Sequence, residues 1–96
     1  MDKKAELLNK LSSKPHPRNF TVRELDQLMR MCGCIKFESR RGSGIGYLYP
    51  PTNQKVQFDR PHPGNELYLY HVKKVIRFLE SVHVLEEDND AETNGV

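Results

Sequence analysis

At Gly33 the spacing of the apolar residues changes, and that change limits what the chain can fold into. Before it, Leu25, Leu28, Met29 and Cys32 recur three and four positions apart, which places them on one face of a helix. After it, Ile35 and Phe37 alternate with Lys36, Glu38 and Arg40, the period of a strand with one face buried. A chain that carries both periods is an α+β chain.

The helical stretch is bounded at both ends by its own residues. Thr21 and Glu24 stand at capping-box spacing, where hydroxyl and carboxylate each accept a backbone N–H that the first turn leaves without a partner. Phe20 and Leu25 flank that box as a hydrophobic staple, and Gly33 supplies the left-handed residue that stops a helix. The spacing predicts a helix from Val22 to Cys32. An earlier short helix is predicted over residues 3–11, where Leu7, Leu8 and Leu11 fall at helical spacing among good helix formers. Pro15 and Pro17 make residues 12–18 a connector, with His16 read as an exposed loop residue.

Three strands come next. Arg41, Gly42, Ser43 and Gly44 read as a turn, Ile45, Tyr47 and Tyr49 share one face of a second strand, and Val56 and Phe58 mark a third. After the Pro61–Asn65 loop, Val72, Val75, Ile76, Leu79 and Val82 trace the apolar face of a last helix. The predicted order is α-α-β-β-β-α, with a three-stranded antiparallel sheet covered on one face by helices that bury Phe37, Tyr47 and Phe58. His71 and His83 read as solvated residues on the polar face or at the end of the last helix.

With 96 residues the chain has room for one core, and residues 1–85 are expected to form a single domain. Charge divides it unevenly. Residues 1–85 hold 15 basic and 8 acidic side chains, whereas residues 86–96 hold five acids and no Lys or Arg. The basic part attracts polyanions, and the acidic tail, which has no apolar periodicity, is expected to be disordered. Cys32 and Cys34, separated only by Gly33, read as reduced structural thiols, because no second Cys or His pair stands at zinc spacing. No apolar run is long enough for a signal peptide or a membrane span, so a cytoplasmic protein without membrane contact is expected.

Three stretches carry a family likeness: TVRELDQLMRMCGCIKF, RRGSGIGYLYP and RPHPGNELYLYHVKKVIRFL. In their order and content they resemble the HicA family. Its members read helix, Gly followed by Phe or Tyr into a first strand, an Arg-x-x-Gly-Ser-His turn, a Tyr-bearing second strand, and a Pro-x-His segment before the last helix. The likeness spans residues 21–79, about two thirds of the chain. It implies a fold like the double-stranded-RNA-binding domain, cleavage of messenger RNA without a metal or other cofactor, and a HicB-type antitoxin partner in a toxin–antitoxin system.

One departure bears on the chemistry. The family's catalytic histidine follows Gly-Ser, and here that position is Gly44, which can neither accept a proton from an attacking 2′-hydroxyl nor donate one to a leaving oxygen. His62, matching the family's histidine near the end of the third strand, is the remaining candidate for acid or base. Lys36, Arg40, Arg41, Gly42, Ser43, Gly44 and Arg60 are the candidate RNA contacts: the cations for phosphates, the small turn residues for close approach of a backbone. Lys73, Lys74 and Arg77 form a second basic cluster on the outer side of the last helix. Three readings stand side by side: a ribonuclease toxin, a domain that binds RNA without cutting it, and a protein-interaction module.

Overall fold

The structure is a computed structural model that describes residues 2–38 and 44–85. The acidic tail, 86–96, lies outside the described residues. Three helices, α1 (Lys3–Leu11), α2 (Val22–Met31) and α3 (Leu69–Ser81), accompany three strands, β1 (Ile35–Glu38), β2 (Gly44–Tyr49) and β3 (Gln54–Asp59). The strands form one antiparallel sheet in the order β1-β2-β3, and the fold is α+β with the predicted sequence of elements. Gly44, expected in the turn, is instead the first residue of β2, paired with Asp59.

The helix ends obey the chemistry of their caps. In α2 the Thr21 hydroxyl accepts the Glu24 N–H at 3.1 Å, and Glu24 accepts the Thr21 N–H at 2.9 Å. Lys10 on α1 reaches the second Glu24 oxygen at 2.8 Å, which ties the first helix to the cap of the second. Burial raises the Glu24 pKa, but Lys10 and Thr21 outweigh it and leave the carboxyl below its ordinary value. At the other end Gly33 takes φ 86, and the N–H groups of Gly33 and Cys34 return to the carbonyls of Arg30 and Met29 in a Schellman motif. The end of α3 closes the same way with a residue that is not glycine. His83 holds φ 64, and the N–H groups of His83 and Val84 reach Glu80 and Leu79.

The core lies between the helices and one face of the sheet: Leu7 and Leu11 from α1, Leu25, Leu28 and Met29 from α2, Ile45, Tyr47, Val56 and Phe58 from the sheet, and Val72, Val75 and Leu79 from α3. Cys32 and Cys34 are buried free thiols at its edge. Burial, with Cys32 nearby, pushes the Cys34 thiol up to about 11, so it stays protonated and unreactive near neutral pH.

Register assigns the faces, and it corrects β1. Residues paired across an antiparallel ladder share a face, and Tyr47 pairs with Lys36 on one side and Val56 on the other. Lys36 therefore points toward the helices, while Ile35 and Phe37 lie on the opposite, open face. Ile35 is 57% exposed and Phe37 is only half-buried, so Phe37 does not join Tyr47 and Phe58 in the core. Its ring instead covers Gly46, the residue it pairs with, where a β-carbon would run into the ring.

Candidate nucleic-acid interface

Two polar side chains hold the helices to the sheet, one from each of the longer helices. From α2, Asp26 accepts the Tyr47 hydroxyl with one carboxylate oxygen and pairs with Lys36 at 3.1 Å through the other. Burial and the neighbouring Asp26 carboxylate push the Tyr47 phenol far above its ordinary value, so it remains a donor. Lys36, a candidate for phosphate contact by sequence, is engaged beneath the sheet.

From α3 the anchor is His71, and the structure overturns its reading as a solvated residue: it is fully buried. Its Nδ1 accepts the Tyr68 backbone N–H at 2.9 Å, so the ring proton sits on Nε2, which donates to the Asp59 carbonyl at 2.9 Å. His71 thus joins the last residue of β3 to the residue that caps α3, and it fixes both ends of the loop 60–67. Burial holds its pKa below the ordinary 6.5, although the Asp59 carbonyl opposes that shift. In sequence the clue was there. His71 stands four residues before Val75 and eight before Leu79, on the same stripe as Phe78 and Val82. It is an imidazole at the third helical position, doing for α3 the returning half of the work Glu24 does for α2.

With its ends fixed, the loop is tied down along its length. The Val22 and Leu67 N–H groups donate to Asn65 and Phe20 carbonyls at 2.9 and 2.7 Å, and the Tyr68 hydroxyl donates to the His62 carbonyl. Arg60 and His62 are exposed on this braced loop. Gly44 lies beside them, because its partner in the sheet is Asp59. A cavity of about 300 Å³ opens at this end of the sheet, lined by Gly44, Gln57, Phe58, Asp59, Tyr70 and Lys74. Among the sequence candidates, then, Gly44 is paired with the strand residue that precedes Arg60, His62 follows on the same loop, and Lys36 is paired with Asp26 instead. Arg40, Arg41, Gly42 and Ser43 lie outside the described residues.

Sequence reasoning missed the aromatic part of this surface. Tyr68, Leu69 and Tyr70 are 45%, 52% and 55% exposed at the start of α3, and the Tyr70 ring lies 4.0 Å from the His71 ring, centroid to centroid. Two tyrosines off the apolar stripe, directly after a Pro-rich loop, were the available signal. Lys73, Lys74 and Arg77 are exposed on the outer side of α3, as expected. Among the described residues no ion pair involves Arg60 or Lys74. The arrangement offers flat aromatic faces beside cations on a fixed backbone, a combination suited to unpaired bases and their phosphates. None of the described His, Cys, Asp and Glu residues gather in threes as a metal site requires. Comparison of the chain with protein-family models, curated proteins and solved structures finds no match.

Proposed function

We propose that this chain is a HicA-like RNA-binding domain of a bacterial toxin–antitoxin system, which grips structured RNA at the end of the sheet where α3 begins. The observation that carries the reading is exposed Tyr70 sharing one cavity with Lys74 and Gly44, with the Tyr68 ring 6.1 Å from the Tyr70 ring and exposed Arg60 directly after the cavity residue Asp59. Tyrosine faces take unpaired bases, and the cations take phosphates. Three antiparallel strands covered on one face by helices are compatible with the double-stranded-RNA-binding-domain-like fold that the HicA resemblance implies. A HicB-type antitoxin fits the reading as a protein that covers this basic surface.

Cleavage is the second reading, favoured by one observation: His62 is exposed, with Arg60 two residues before it, on a loop held by His71 and Tyr68. His71 cannot serve as the base in its place, because both its nitrogens are engaged and no substrate reaches it. A labelled RNA hairpin titrated with the protein in a salt series tests binding and cleavage together. Contacts to about four phosphates give a log–log salt slope near −3 for single-stranded segments, and a flat response would rule out the phosphate contacts. Fragments that appear with the wild type and vanish with His62→Ala would make the domain a ribonuclease; an intact, shifted hairpin makes it a binder.

A further inference from the structure

A groove runs along α3 on the side of the connector, away from the open face of the sheet. It comprises two cavities, of about 520 and about 670 Å³, that share Lys14 and His16. The first continues to Arg18, Tyr68 and Leu69 at the start of α3; the second reaches Ile76 and Leu85 at its end. Leu85 is the last described residue, so the chain leaves the fold from inside this groove. The Schellman motif at His83 sets that direction, because it turns the chain back until the Val84 and Leu85 N–H groups both reach the Leu79 carbonyl, at 2.9 and 3.2 Å.

The segment beyond Leu85 is complementary in charge to the Lys14–Arg18 side of the groove. Residues 86–96 carry Glu86, Glu87, Asp88, Asp90 and Glu92 with no basic side chain; the groove carries Lys14 and Arg18 toward the connector and one carboxylate, Glu80, in the cavity that Leu85 lines. Length permits the fit. The 13 residues of α3 extend about 20 Å at helical rise, while eleven extended residues reach roughly 35 Å. One group in the groove also lacks a hydrogen-bond partner among the described residues. His16 is half-buried rather than exposed as expected, and its Nδ1 is buried with no hydrogen bond.

We propose that residues 86–96 fold back into this groove, with their carboxylates against Lys14 and Arg18 and the tail's backbone running toward Tyr68. The domain then carries its own acidic occupant at the edge of the surface it offers to polyanions. The proposal holds whether or not the domain binds RNA, and its test contains none.

Amide spectra of the full chain at low salt are compared with those of a full-length variant carrying Glu86→Gln, Glu87→Gln, Asp88→Asn, Asp90→Asn and Glu92→Gln. The expected result is a set of shifts at Ser12–Arg18 and Leu67–Leu69, with Leu48 and Lys55 on the open face unmoved. Added salt, which screens the pairing without any substitution, moves the same wild-type amides toward the variant's positions. Shifts confined to residues next to the substitutions, or centred on the open face, overturn the proposal. So do groove shifts that disappear on dilution, since they place the tail of a second copy there.

Discussion

The α2 and α3 ends of the helical layer meet the same sheet through different chemistry. At α2 the anchor is a carboxylate, Asp26, whose side chain keeps about a quarter of its surface exposed and uses it to hold a tyrosine and a lysine. At α3 the anchor is a neutral imidazole with no exposure at all. A charge survives where water still reaches it; where none does, a group that can donate and accept while uncharged serves better. The ends also differ in what they leave over. Asp26 takes up Lys36, whereas His71 spends its two nitrogens on backbone groups and leaves Arg60, Lys74, Tyr68 and Tyr70 facing outward. A closed end and an open end result, and the open end is where ligand chemistry can act.

The largest effect that would sharpen this contrast belongs to His71. His71→Ala removes a fully packed ring and strands the Tyr68 N–H and the Asp59 carbonyl, at a cost of about 2–4 kcal/mol by denaturant unfolding. Asp26→Ala should cost less, about 1–3 kcal/mol, because Lys36 can turn to solvent while only the Tyr47 hydroxyl is left buried without a partner. The reverse ranking would show that the carboxylate, and not the imidazole, holds the layers together.

Acid separates the two ends as well. The His71 pKa is depressed in the folded protein, so the unfolded chain binds its proton more readily. Stability from His71 is complete above the unfolded value near 6.5 and declines as pH falls from there through the lower folded value. Glu24, also depressed, begins to lose its contribution only below about 4.5. A stability profile that begins to fall as pH drops below about 6.5 and flattens there in His71→Gln is the expected result; an unchanged profile in that variant would assign the slope to another group.

Much of this architecture was legible in the sequence. Thr21, Glu24 and Gly33 are local signals that act through neighbouring backbone groups, and α2 lies where they place it. Lys3–Leu11 is a helix with its predicted bounds, and the three strands come in the predicted order. The assignment of faces escaped. Alternation in β1 separates Ile35 and Phe37 from Lys36 and Glu38 but does not say which pair faces the core. Pairing with β2 decides it, since Tyr47 must be inside and Lys36 lies opposite it. Lys36 tolerates the inward face because Asp26 waits there, a partner ten residues away in sequence. His71 was missed because polarity was taken for exposure, although its position on the stripe put it inside. Of the candidate site, the closeness of Arg60 and His62 is a consequence of sequence order, whereas Gly44 reaches them through the β2–β3 register that pairs it with Asp59. The aromatic pair is no such consequence, because exposure is a tertiary property.

The most direct measurement compares the two ends for one ligand: the affinity of a labelled RNA hairpin for the wild type, for Tyr70→Ala and for Lys36→Ala, at one fixed salt concentration. With base stacking worth about 1–3 kcal/mol, Tyr70→Ala is expected to weaken binding roughly tenfold or more, while Lys36→Ala, already committed to Asp26, changes it by about twofold or less. If Lys36→Ala weakens binding and Tyr70→Ala does not, the start of α3 is not the RNA site, and the central claim fails.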